Sequence, residues 1–395
     1  MNKTILHVRK STGLTSDIFK AAAAMIVFLL HGRIFLPAAG QMTGCLHWIT
    51  YFPAWGGVWL FLILSGYGIG TGFFQRKYLL TGQDGKIQIK RIIQFYIGRL
   101  IKIAPFYYLY CILFEVFSGQ CFFWQNPGIG IQMLTFTFNG NGGINGLGHL
   151  WYLSTAMQLY VFMPLIYIGI EFLCKTGKAV AGLSIAVIIS GMALRVVLYQ
   201  AGIDWYSLIY TNCLVNLDLV AAGMLAAKAV CNGITSVKEH VKRRIKIAGT
   251  VVFFGIILYN CYIYAMGTEN GFFVYRCVLP SVYIVICMLL LSVSTDRKNR
   301  TEAGTLQKAE TIFADIIRWF SRCSFVFYVF HISVLDYLSK SLATTEWFLN
   351  MHPNRQYFLF FAVALVILLP LSEVFTRLNA EMVKYLQKMS GFDTG

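Results

Sequence analysis

The segment SDIFKAAAAMIVFLLHGRIF, Ser16 to Phe35, is one apolar run with a lysine near its start, Lys20, and a histidine near its end, His31. Its length suits the roughly 20 residues that a helix needs to cross a hydrocarbon core of about 30 Å. At about 100° per residue, eleven residues carry His31 about 20° past three full turns, so it shares a face with Lys20, about 16 Å away along the axis. Asp17 stands three residues before Lys20 on the same face, placed to pair with it. A greasy helix holding a cation and an imidazole in line predicts a chain that spans a membrane.

Composition extends that reading to the whole sequence. Of 395 residues, 57% are hydrophobic and 13% charged, against about 25% charged in a soluble domain. Mean hydropathy is +0.63. No hydrophilic block is long enough for a separate soluble domain, so residues 1–395 read as a single transmembrane domain. Backbone groups in lipid must be satisfied within each segment, which predicts an all-α, polytopic fold. Apolar windows place ten spans near 17–36, 54–73, 92–117, 150–170, 179–198, 206–228, 247–265, 273–294, 314–338 and 357–377.

The net charge is +16, but nucleic acid is not expected as a partner, because the basic residues alternate between loops and form no single face. The segments on one side of the ten spans hold 21 Lys and Arg; the other side holds Lys340 and Arg355. The positive-inside rule then puts both termini in the cytoplasm of a multi-pass protein, expected in a bacterial plasma membrane. The first apolar run has no small-residue cleavage site after it and reads as a retained span. The ten cysteines lie mostly inside apolar runs and read as small buried hydrophobes, with Cys45 and Cys121 the two that both fall outside and are free to pair. No internal repeat is visible.

Ten cations remain in or beside the spans: Lys20, Arg33, Arg99, Lys102, Arg195, Lys228, Arg276, Arg318, Arg322 and Arg377. A charge at mid-membrane costs at least about 2.5–3.5 kcal/mol. Arg195, Lys228, Arg276 and Arg377 lie near span ends, where snorkelling is the expected solution. In GRLIKIAPFYYLY, Gly98 to Tyr110, Arg99 and Lys102 stand one turn apart, and Pro105 is expected to kink or open the helix. Arg318 and Arg322 form a second such pair before SFVFYVFH. Two pairs at one membrane face fit a polyanion, and coenzyme A and lipid head groups satisfy that chemistry equally. His149 opens the fourth span beside Trp151 and Tyr152, an aromatic pair typical of an interface. His331 lies deeper in its apolar run. The Gly- and Asn-rich FNGNGGINGLGH reads either as a surface turn region or as a pliable lip over a site.

Five blocks in order make the chain resemble the membrane acyltransferase type 3 family over about residues 15 to 375. Lys20 and His31 look like its R-x10-H segment, and GGVWLFLILSGYGIG, Gly56 to Gly70, is similar to its second block. IGRLIKIAPFYYLY, HLWYLSTAMQLYVFMPL and SRCSFVFYVFHISVL resemble the rest. Two departures stand out. Lys20 replaces the family arginine, keeping charge but losing the bidentate fork. STAMQ lacks the glutamate many members carry there.

The resemblance implies acyl transfer, usually of acetyl, from cytosolic acyl-CoA to a hydroxyl outside, on a carbohydrate or lipid-linked sugar acceptor. Acetyl-CoA enters as a substrate, the bilayer is the surrounding partner, no metal is expected, and the oligomeric state is open. Coenzyme A phosphates suit Arg99, Lys102 and Arg322. His31 is the candidate base, with Lys20 and Asp17 biasing the donor side. Backbone N–H groups near Ser65 and Gly66, or the Tyr152 side chain, are candidates for the thioester oxygen. Tyr67, His149, Trp151 and His331 complete the set of candidate site residues. A transporter, a flippase or a sensing module of the membrane competes with this reading.

The orientation is testable. A cysteine replacing Asn141 should react with an impermeant maleimide from outside intact cells, above the level of the parent chain; protection there overturns the assignment.

Overall fold

The computed structural model describes residues 2–36, 39–51, 54–78, 80, 86–118, 122–140, 146–233, 238–293 and 305–390. Its long helices are α1 (Asn2–Phe35), α2 (Ala54–Phe74), α3 (Ile89–Ser118), α4 (Trp151–Leu173), α5 (Gly177–Gln200), α6 (Leu217–Cys231), α7 (Glu239–Met266), α8 (Leu279–Ser292), α9 (Thr305–Leu342) and α10 (Pro353–Ser390). No strand lies among the described residues. Local chemistry marks several ends. The Thr176 hydroxyl accepts from the Ala179 N–H and caps α5. Gly267, at φ 62°, closes α7 in the left-handed conformation that costs glycine nothing.

The chain is an all-α polytopic membrane protein. Among the described residues eight helices are long and apolar enough to cross a membrane. The expected spans at 206–228 and 314–338 differ. The first is split into a π-type turn, Trp205–Tyr210, and the 15-residue α6. At 1.5 Å per residue, α6 alone covers about 22 Å, short of a bilayer core. Its residues Leu219 to Val230 are nearly all buried in protein. The second lies within α9, whose Asp315, Arg318, Arg322, Asp336 and Lys340 break the apolar pattern, while Val326, Phe327, Val329 and Leu335 are packed inside.

Glycines let the central helices touch backbone to backbone. A Cβ on Gly223 of α6 would sit 2.0 Å from the Ile63 carbonyl of α2, and one on Gly66 would sit 2.1 Å from the Val220 carbonyl of α6. Small residues at such crossings are how membrane helices approach closely enough to gain dispersion contacts. Gly57 brings α2 against Ala23 of α1 in the same way, at 2.7 Å. Thus α2 is wedged between α1 and α6.

Two expectations are corrected by the packing, and the opening expected at Pro105 is not seen. Arg195 does not snorkel: it is 1% exposed and makes a two-pronged bond to Asp218, both contacts 2.7 Å, joining α5 to α6. Lys228 is buried and bonded to Glu171 of α4. Both charges solve desolvation by pairing inside rather than by reaching water. Pro105 does not open α3, which runs through it without a break. Phe106 and Tyr107 beside it are fully buried and hold the helix in place. Arg276 lies among the rings of Phe272 and Trp205, at 5.1 and 5.4 Å, and Arg377 stays exposed, paired to Glu373 at 2.6 Å. Cys121 and residues 141–145, within the Gly- and Asn-rich stretch, lie outside the described residues.

The glycine crossing predicts a graded stability series. Gly66→Ala and Gly223→Ala should each cost about 1–3 kcal/mol through overpacking. Gly169→Ala, with open space around its Cβ position, should be neutral. Thermal unfolding midpoints in detergent check this; equal midpoints for all three would show that α2 and α6 are not in backbone contact.

Candidate active site

Helices α1, α2, α3, α4, α9 and α10 surround a cavity of about 920 Å³. Five cations line it, Lys20, Lys77, Arg99, Lys102 and Arg322, and none of its lining residues is acidic. Arg99 is the most constrained. Its guanidinium donates to the Tyr78 hydroxyl and lies 5.2 Å from the Phe95 ring and 6.0 Å from that of Tyr160. Lys102 is close enough to feel the charges of Arg99, Lys20 and Lys77. Arg99, Lys102 and Arg322 have no carboxylate partner among the described residues. Lys20 has Asp17 at 4.0 Å, and Asp17 also accepts from the Ser321 hydroxyl at 2.6 Å. Clustered like charges, with Arg99, Lys102 and Arg322 lacking a carboxylate among the described residues, favour an anionic occupant.

The other end of the cavity is aromatic. Ser65, Tyr152 and Tyr160 line it together. Tyr152 packs on Tyr328 with ring centroids 5.3 Å apart, and Phe61 packs on Tyr152 at 5.8 Å. Behind this layer lie three imidazoles. His31 Nδ1 is 2.8 Å from His331 Nε2. His331 Nδ1 bonds the Tyr328 carbonyl. His149 Nε2 lies 2.9 Å from the Val329 carbonyl, and the His149 and His331 rings are 5.2 Å apart. The Tyr328 hydroxyl donates to the His149 carbonyl at 2.5 Å. His331 is fully enclosed, His149 is buried and His31 is half-buried.

The structure therefore separates the candidate residues into two groups. Lys20, Arg99, Lys102, Arg322, Ser65 and Tyr152 line the cavity, with Asp17 beside Lys20. His31, His149 and His331 meet one another but do not line it; the Tyr328 ring, 5.3 Å from that of His331, stands between. Four assignments fall away from both groups. Tyr67 is buried and has its backbone against α6, near Gly223, rather than its side chain in the cavity. Trp151 packs on Tyr210 at 4.7 Å, outside the lining. Arg318 is exposed and held by Asp315 at 2.9 Å. The N–H groups of Ser65 and Gly66 sit inside the uninterrupted α2, where the helix's own carbonyls consume them, so they are not oxyanion donors.

Sequence reasoning missed Lys77, Tyr78 and Tyr160, and also Thr376 and Asn379 from α10. Lys77 counts as a loop cation by position. Tyr160 stands eleven residues after His149 in HLWYLSTAMQLYVFMPL, the same spacing as Lys20 and His31, a signal that was readable. Nothing in the sequence points to the α10 pair.

Comparison with known proteins matches an acyltransferase domain to residues 15–376. Over 219 residues the chain is 30% identical to the Regulator of hypoxia-inducible factor 1 of Caenorhabditis elegans, covering 49% of this chain and 41% of that protein. The chain thus spans less than half the length of that relative. No solved structure matches.

The cation cluster predicts salt-dependent binding of a nucleotide polyphosphate. Arg99→Gln and Lys102→Gln should each weaken it about tenfold, the loss of one charge-assisted bond of roughly 1.5 kcal/mol. Arg318→Gln should leave it unchanged. Titration calorimetry at two salt concentrations measures this, and equal affinities in all three variants would remove the cavity as the anion site.

Proposed function

The chain belongs to the acyltransferase 3 family, and from that premise we propose that it transfers an acyl group, acetyl the expected one, from acyl-CoA in the cationic cavity to a hydroxyl supplied from the opposite face. The observation that carries the reading is the alignment of parts. The cavity is cationic where phosphates would enter and ends one ring away from a hydrogen-bonded imidazole pair. A carbohydrate or lipid-linked sugar of the cell envelope is the proposed acceptor.

In this reading Arg99, Lys102 and Arg322, joined by Lys20 and Lys77, hold the donor phosphates. The pantetheine arm runs past Ser65 towards Tyr152 and Tyr328. His31 removes the acceptor hydroxyl's proton as its oxygen bonds to the thioester carbon. The carbon–sulfur bond breaks, and His31 returns the proton to the leaving sulfur. With the α2 backbone donors consumed by their helix, the Tyr152 hydroxyl is the proposed partner of the developing oxyanion. Lys20 sits among the phosphate ligands, a place where an ammonium serves as a point charge and the lost guanidinium fork matters little. A solute pathway would require the cavity to continue; the tyrosine layer and the enclosed His331 support a chamber closed at one end.

Vesicles carrying the protein, given labelled acetyl-CoA and envelope glycans, provide the test. Label should reach an acceptor and fall about 10²–10⁴-fold in His31→Ala, while Lys20→Arg keeps most activity. Unchanged transfer in His31→Ala overturns the base assignment, and solute flux without any acyl donor replaces the reading with transport.

A further inference from the structure

The two hydrogen bonds that flank His331 fix where its protons lie. A backbone carbonyl accepts and never donates, so His331 Nδ1, bonded to the Tyr328 carbonyl, must carry a proton. In a neutral imidazole the other nitrogen is then a bare acceptor. That nitrogen, Nε2, is 2.8 Å from His31 Nδ1. Two neutral imidazoles share such a contact only when one donates, so His31 Nδ1 carries the proton between them. The Nε2 of His31 is left as a lone pair.

We infer that His331 is a positioning residue that locks His31 in its Nδ1–H tautomer and so makes His31 Nε2 the nitrogen available as a base. What that lone pair does rests on the acyl transfer proposed above; which nitrogen bears it does not. An imidazole free in water favours the opposite tautomer, with Nδ1 bare, so the preference must be imposed. The imposing element is α9, which holds the pair through the Tyr328 carbonyl one turn before His331. The next carbonyl along, that of Val329, does the reverse to His149. It accepts from Nε2 at 2.9 Å and leaves Nδ1, which has no partner among the described residues, as the bare nitrogen. Adjacent carbonyls of one helix thus set two histidines in opposite tautomers. His331 itself is fully buried, so it reaches no substrate directly and acts through His31 alone.

The test uses the unaltered chain, labelled with ¹⁵N-histidine in lipid bilayers, under solid-state magnetic resonance. A ¹⁵N–¹⁵N correlation across an N–H···N bond identifies the imidazole pair without any variant. The expected result is a protonated Nδ1 coupled to a bare Nε2 whose own Nδ1 is protonated. A pair with its shared proton on Nε2, or no correlation, overturns the inference. A kinetic arm reads the consequence. Glutamine at 331 can offer an amide oxygen to His31 Nδ1–H, and leucine cannot. His331→Leu should lower kcat for acetyl transfer about tenfold or more below His331→Gln, with KM for acetyl-CoA unchanged in both. Equal kcat losses with a raised KM overturn the positioning role. If the parent chain transfers no acetyl group, the proposed function fails while the resonance result still decides the tautomer; if neither variant folds, that result decides alone.

Discussion

A polar group inside a bilayer must find its partner within the protein, and α1 finds partners along α9. Asp17 accepts from Ser321 at 2.6 Å, His31 meets His331 at 2.8 Å, and the Phe35 carbonyl accepts from Ser339 at 2.6 Å. Positions rise together on both helices, so the two run parallel although some 300 residues separate them in the chain. Interhelical bonds in membranes contribute only about 0.6–2 kcal/mol each. Their larger effect is on register: one turn of slip would break all three. With the register held, Lys20 and Arg322 face one cavity and the imidazoles meet beyond it.

The second constraint is the contact of α2 with α6. Gly66 and Gly223 remove the side chains that would keep these helices apart. That allows α6 to be short and enclosed, and it presents Ser65, Gly68 and Gly72 of α2 to the cavity. The buried pair of Arg195 and Asp218 ties α5 to the start of α6, so a helix too short to cross the bilayer by itself is still fixed at its first turn.

Much of this was legible in the sequence, for identifiable reasons. Helical arithmetic on one segment put Lys20 and His31 on a common face, and that face is the one turned to α9. Spacing along α3 put Arg99 and Lys102 together, and both line the cavity. The failures share a cause. Snorkelling was assigned to Arg195 and Lys228 from their position near span ends, but their partners Asp218 and Glu171 lie on other helices, a relation no local window contains. Arg318 and Arg322 are one turn apart and yet divide: Arg322 lines the cavity, while Arg318 is exposed and paired with Asp315 on its own helix. Ser65 and Gly66 were candidates for backbone donors, but the expected helix over 54–73 is unbroken, and its own carbonyls take up those N–H groups.

The tyrosine layer has an electrical meaning. Moving one elementary charge across a membrane exchanges about 2.3 kcal/mol per 100 mV with the transmembrane field. In the proposed reaction the polyphosphate stays among the cations of the cavity, while the group that passes the rings of Tyr152 and Tyr328 is an uncharged acyl. The transfer then crosses the low-dielectric part of the protein without carrying current. Such a chain would work at the same rate on an energised membrane as on a depolarised one.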